Sequence, residues 1–181
     1  MSAPKNTGLP RARSAFAGIS PGLEPLLHAE LTELGVPNTQ VGGGCTFAAD
    51  AGLMQRVCLF SRLAARVTVV LAEGKAVSLD QLHARVRECD WAAVVHPHQL
   101  VEVRVTSTGN PMRRKDAIEK KVALGVQDAL RGPRLPGPRA PREAVSVIVR
   151  LDGDKAMIAV DAAGERMHKR GYRQETAKAP L

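Results

Sequence analysis

The sequence predicts an α+β protein made of two successive small units, and three observations carry that prediction. Leucines recur at helical spacing in the first third, with Leu23, Leu26, Leu27, Leu31 and Leu34 ahead of a stopping Gly35. Short runs such as LVEVRVT (Leu100 to Thr106) alternate apolar and polar residues, as half-buried strands do. The elements also fail to form a strict βαβα series, which argues against a doubly wound nucleotide-binding sheet and for helices laid on small sheets.

In chain order, residues 1–13 (MSAPKNTGLPRAR) are polar, basic and without periodicity, and read as a disordered lead-in. SAFAGI opens a first strand, Pro21-Gly22 punctuates it, and the leucine-rich helix follows. Val41 to Ala48 reads as one strand bent at Gly42-Gly43-Gly44, Leu53 to Phe60 as a second helix, and Arg66 to Leu71 as a third strand. A second unit begins at Ser78, a suitable N-cap for SLDQLHARVREC, whose Leu79, Leu82 and Val86 share a face. Then come the strand at Leu100 to Thr106, a long helix over Asp116 to Leu130, and a hairpin of Val145 to Leu151 and Ala156 to Val160 around Asp152-Gly153-Asp154. The proline-rich GPRLPGPRAPRE between helix and hairpin reads as an exposed basic loop. Val103, Val105, Ile118, Val122, Val147, Val149, Ile158 and Val160 are expected in one core.

The 181 residues are 44% hydrophobic but only 3% aromatic, comprising Phe16, Phe47, Phe60, Trp91 and Tyr172. Aliphatic packing must therefore dominate the core. No stretch reaches the ~18 apolar residues of a membrane helix, and no signal-peptide pattern opens the chain, so no membrane contact is expected and the cytoplasm is the expected compartment. Cys45, Cys58 and Cys89 fit neither a disulfide framework nor a zinc or redox pair and read as buried thiols. His96-Pro97-His98 lacks metal-ligand partners at ligand spacing and reads as a solvated turn, so no metal is expected.

The net charge of +8 is unevenly placed. Residues 1–103 carry nine basic and nine acidic side chains, whereas residues 104–142 carry ten and three. Such clustering marks a polyanion-binding surface. Its members are Arg104, Arg113, Arg114, Lys115, Lys120, Lys121, Arg131, Arg134 and Arg139, joined by Lys169, Arg170 and Arg173 in the tail. Arg113, Arg114 and Lys115 fall where the long helix should start. Cations there oppose the positive end of the helix dipole, a conflict that a docked phosphate would relieve. The scarcity of aromatics on strands argues against base stacking, so recognition should run through phosphates and shape.

Catalytic chemistry is not legible. Gly42-Gly43-Gly44 matches neither a phosphate loop of the GxxxxGK[ST] type nor a GxGxxG turn, GxSxG is absent, and Asp152 and Asp154 fit a hairpin turn. No catalytic residue is assigned.

SAFAGISPGLEPLLHAELTELG followed by GGGCTFAADAGLMQRVCLFSRLAARVTVVL resembles the N-terminal ferredoxin-like region of bacterial THUMP-domain methyltransferases, which act on a guanine exocyclic amine of large-subunit ribosomal RNA. KDAI, IAVDAAGE and MHKRGYR, with Ala179-Pro180-Leu181, resemble the THUMP domain and its exit in the same family. The resemblance implies a ferredoxin-like N-terminal domain over residues 14–76 and a THUMP domain over 77–162, for which a family profile would start near residue 53. Residues 163–181 would then be a final strand and a linker to an absent methyltransferase domain. In the family that domain binds S-adenosylmethionine and carries an N/D-P-P-Y motif; here Asn110-Pro111 is followed by Met112 and Arg113, and the motif is missing. The expectation is an RNA-binding module that positions rRNA for a downstream domain, with no cofactor and no enzymatic activity of its own. The alternative is a protein-interaction or standalone RNA-binding adaptor.

Overall fold

A computed structural model describes residues 14–95, 99–130, 144–164 and 167. The elements run β1 (Ser14–Gly18), α1 (Glu24–Glu33), β2 (Asn38–Val41), β3 (Gly44–Ala48), α2 (Ala51–Phe60), β4 (Arg66–Lys75), α3 (Leu79–Glu88), a 3-10 turn (Trp91–Ala93), β5 (Val101–Thr108), α4 (Lys115–Leu130), β6 (Val145–Asp152) and β7 (Lys155–Asp161). The disordered lead-in, the histidine turn, the proline-rich loop and, apart from residues 163, 164 and 167, the final strand and linker expected over 163–181 lie outside the described residues.

Two expectations change. Val41 to Ala48 is a hairpin, not one bent strand: β2 and β3 pair antiparallel with Val41 opposite Gly44. Gly43 makes the turn with φ +79, a conformation open to glycine. Gly44 must also be glycine, because a Cβ there would press into the Ala17 carbonyl of the neighbouring strand. The second change is larger. In place of two separate sandwiches there is one seven-stranded sheet in the order β2-β3-β1-β4-β7-β6-β5. β4 runs on to Lys75, past the expected end at Leu71, and pairs with β1 on one edge and β7 on the other. Its hydrophobic character allowed both edges to be buried, and a bulge between Val70 and Ala72 resets its register.

All four described α-helices cover the same face. Val69 belongs to the first core, with Ala15, Leu27, Leu31, Val57 and Val67. Its register partner Val160 belongs to the second, with Leu82, Val86, Val105, Ile118, Val122, Val147, Val149 and Ile158. Paired residues share a sheet face, so both cores lie on one side. Of the expected core residues only Val103 is partly exposed. Cys45 and Cys89 are buried as expected, while Cys58 is half-exposed at the surface of α2.

Local chemistry sets the helix ends. Asp50 Oδ1 accepts from Leu53 N at 3.0 Å and caps α2 two residues before its expected start; Ser78 Oγ accepts from Gln81 N at 3.3 Å and caps α3. The first unit is tied by Glu30, which is 7% exposed and accepts from Ser61 Oγ at 2.6 Å, Arg62 N at 2.9 Å and Leu63 N at 3.3 Å. Helices α3 and α4 are drawn together at Gly125, where an added Cβ would lie 2.7 Å from Val86 Cγ1. Two side-chain pairs flank that contact, Lys121 Nζ to Asp80 Oδ1 at 2.8 Å and His83 Nε2 to Asp128 Oδ2 at 3.1 Å.

Candidate nucleic-acid interface

The site forms where β4, β5 and β6 end and β7 begins. After β5 the chain turns through Gly109 and buries Asn110, which is 6% exposed. Its Nδ2 donates to the Ala76 carbonyl at 3.0 Å and to the Gly153 carbonyl at 2.7 Å, and its Oδ1 accepts from Met112 N at 2.9 Å. One side chain thereby ties the end of β4, the β6–β7 turn and its own loop. Backbone bonds reinforce the knot, Gly153 N to the Thr108 carbonyl at 2.9 Å and Ala76 N to the Asp154 carbonyl at 2.8 Å. Gly153, at φ +55, makes the turn that brings these groups together. Met112 then drops into the second core and leaves Arg113, Arg114 and Lys115 exposed at the surface.

The helix starts where the basic triplet predicts. Lys115 is its first residue, and the Arg114 carbonyl accepts from Ala117 N and Ile118 N, each at 3.1 Å. Ile118, Val122, Gly125 and Val126 face the core, with Ala129 partly buried against it. Three cations therefore crowd the positive end of a sixteen-residue helix. Part of that conflict is relieved internally. Asp116 lies in the first turn and accepts from Arg114 Nη2 at 3.0 Å. The hydrogen bond from Arg114 pulls the Asp116 carboxyl below the ordinary range, and the reciprocal bond lifts the Arg114 guanidinium. Arg113 and Lys115 have no carboxylate partner among the described residues and line a depression with Ser107, Gly109, Asn110 and Pro111.

The other candidates divide. Lys120 is exposed on α4. Lys121 is committed to Asp80, whose carboxyl that hydrogen bond holds below its usual range, and so acts as a tie between helices. Arg104 lies on the helix-free face of β5, away from the triplet, and pairs with Glu102 at 3.1 Å. Arg131, Arg134, Arg139, Lys169, Arg170 and Arg173 lie outside the described residues. The sequence reading missed Lys75, Arg150 and Lys155, which share a second depression with Asp152 and Asp154 beside the same turn. Each stands alone among acidic neighbours in sequence, so charge counting passed over them. Lys75 is paired with Asp154 at 3.1 Å; Arg150 and Lys155 have no carboxylate partner among the described residues.

The arrangement can bind anions. Among the described residues no three His, Cys, Asp or Glu side chains stand together as a metal site, and no helix is long and apolar enough to cross a membrane.

Comparison with known proteins fits this geometry. Residues 14–68 match the RlmL ferredoxin-like domain. Over 169 residues, 92% of this chain, the sequence is 36% identical to the ribosomal RNA large subunit methyltransferase K/L of Vibrio campbellii, of which the match spans only 24%. The chain thus spans about a quarter of the length of the curated relatives it matches. A crystal structure from Listeria monocytogenes, described as a predicted N6-adenine-specific DNA methylase, superposes with a TM-score of 0.82 at 22% identity, covering 94% of this chain and 46% of the other. The putative methyltransferase SMU.472, solved with SAH, gives a TM-score of 0.78 at 22% identity over 91% of this chain and 45% of the other. The structural likenesses establish the fold; the sequence matches identify the chain as similar to the N-terminal ferredoxin-like and THUMP region of the K/L methyltransferases.

Proposed function

We propose that this chain, an RlmL-type ferredoxin-like domain joined through β4 to a THUMP-like unit, is the RNA-gripping region of an rRNA methyltransferase. It would position structured large-subunit rRNA for methylation of a guanine exocyclic amine by an S-adenosylmethionine-binding domain, in the cytoplasm. The observation that carries the reading is the triplet Arg113-Arg114-Lys115, held at the N-terminus of α4 by the buried Asn110 knot. Backbone N–H groups of a first helical turn, together with exposed cations, suit phosphate oxygens and read no base. Lys155 and Arg150 across the β6–β7 turn widen the basic rim. The rRNA methyltransferase identity of the Vibrio relative supports rRNA as the polyanion.

The test is filter capture of a structured rRNA fragment by the purified chain at graded salt. Salt-dependent capture that weakens on Arg113→Ala and Lys115→Ala supports the reading, and absence of RNA binding refutes it. The chain itself should transfer no labelled methyl group from S-adenosylmethionine, because its sequence carries neither a GxGxxG turn nor an N/D-P-P-Y motif.

A further inference from the structure

We propose that the helix-free face of the sheet is a second RNA site, one that takes an unpaired nucleotide by stacking its base on Phe16. This rests on the RNA-binding reading above and extends it from phosphate contact to base contact.

The strand alternation that sends Ala15 and Ala17 into the core sends Phe16 to the opposite face, where no described helix lies. It is the one aromatic side chain on that face among the described strands, since Phe47 points into the core. Its ring leans over the paired glycines Gly18 and Gly44: a Cβ at Gly44 would lie 2.9 Å from Phe16 Cζ, and one at Gly18 3.3 Å from Cε1. Any larger residue at either position would displace the ring. A groove of about 520 Å³ surrounds it. Val70, Ile148 and Met157 give that groove an apolar floor, Thr46, Thr68 and Thr106 supply hydroxyls, and Arg150 lines it beside Glu73, while Arg66 is engaged by Asp161 at 3.1 Å. A flat apolar bed with an aromatic ring, hydroxyls and a guanidinium group is the chemistry that holds a single-stranded base and its phosphate.

Continuity with the basic rim selects RNA over a protein partner. Glu73, Arg150 and Met157 line both this groove and the depression holding Lys75 and Lys155. That depression includes Asp154, whose turn is bound to the Asn110 knot beneath Arg113 and Lys115. A polynucleotide anchored by its phosphates at α4 can therefore reach the sheet face past Lys155 and Arg150, whose cations offset the carboxylates of Glu73 and Asp152 in the same depression. A single ring on that face is enough for such a stack, where the scarcity of aromatics led to an expectation of phosphate and shape contacts alone.

The test compares the full chain with Phe16→Leu and Phe16→Tyr for binding of a short unstructured RNA oligonucleotide and a blunt RNA duplex of equal composition. Phe16→Leu should weaken the single strand by about fivefold or more, following the worth of one base–aromatic stack, and leave the duplex unchanged. Phe16→Tyr, which keeps the ring, should retain single-strand affinity. Single-strand binding that survives Phe16→Leu, while the duplex still depends on Arg113 and Lys115, overturns this inference alone and leaves the face to a protein contact. Failure of the unmodified chain to bind either RNA overturns both readings.

Discussion

Arg66 Nη1 lies 3.1 Å from Asp161 Oδ2, an ion pair that joins the strand shared by the two units to the last described strand of the sheet. The carboxyl side chain is 1% exposed, and among the described residues its Oδ2 has no aligned hydrogen bond, so the contact is one of charge; Oδ1 accepts from Ala163 N at 3.0 Å. Burial dominates and pushes the Asp161 carboxyl above its ordinary 3.8, with Arg66 pulling the other way. A raised carboxyl binds its proton more tightly in the folded state. Its contribution to stability is therefore greatest below 3.8 and declines as pH rises through the raised value. Asp161→Asn should abolish that decline, and Arg66→Met should extend it to higher pH, as read from urea midpoints across the acid range. A flat wild-type profile that neither change alters would refute the assignment.

Glu30 should behave with the opposite sign. Burial alone would raise its carboxyl, but the donors from Ser61 Oγ, Arg62 N and Leu63 N outweigh it and hold the group below 4.5. The stability it lends is fully present above 4.5 and lost as pH falls through the lowered value. Glu30→Gln should cost about 1–3 kcal/mol at neutral pH, since buried donors lose a charged acceptor, and should flatten the acid limb. Thermal or urea unfolding at two pH values decides it.

Gly125→Ala is expected to destabilise, against the usual helical preference for alanine of ~1 kcal/mol. The added methyl would lie 2.7 Å from Val86 Cγ1 and 2.9 Å from Val86 Cβ, which forces α3 and α4 apart. Overpacking of this kind costs about 1–3 kcal/mol. The paired change Gly125→Ala with Val86→Ala should recover much of the loss, and an absence of recovery would locate the strain elsewhere.

Ser146 carries a buried hydroxyl with no hydrogen-bond partner among the described residues. Ser146→Ala should be neutral or stabilising, because the hydroxyl's lost hydration is not compensated in the folded state. A loss above ~1 kcal/mol in unfolding would reveal a partner for it.

Among the basic residues the salt dependence should separate free cations from committed ones. Arg113→Ala and Lys115→Ala should each make the slope of log affinity against log salt shallower by ~0.7 to ~0.9. Arg114→Ala should change it less, because Asp116 already shares that charge. Arg56 Nη1 donates to the Leu34 carbonyl at 3.0 Å, and Arg62 pairs with Glu30 at 3.5 Å. Replacing these two should lower stability and leave the slope unchanged. Equal slope changes from both sets would reduce the localised site to diffuse attraction.

Much of this was readable in the sequence because it is local. The spacing of Ile118, Val122 and Val126 places the buried face of α4, and the basic triplet marks its start. Asp152-Gly153-Asp154 marks the last hairpin. What escaped is long-range. Asn110 bonds to Ala76 and Gly153, which its own neighbourhood does not announce, and β5 pairs in parallel with β6, more than thirty residues further along the chain. The β2–β3 hairpin was hidden because three consecutive glycines read equally well as a bend, and the turn at Gly43 with the close approach at Gly44 decides between them. Arg150 and Lys155 lie close to Asp152 and Asp154 in the chain and meet Lys75 only in space.

The two-sided pairing of β4 has a consequence for how the protein is made. During synthesis the N-terminal strands can assemble early, but the far edge of β4 finds its partner only once Lys155–Asp161 has emerged. Until then the nascent chain presents a ten-residue edge bearing Val67, Val69 and Val70, a template for wrong pairing with another chain. Such late, distant closure slows folding and lengthens exposure. Lys75 at the end of that edge already pairs with Lys155, and the bulge between Val70 and Ala72 breaks its regularity, so the strand guards its C-terminal half and leaves the valine stretch to rapid closure by β7.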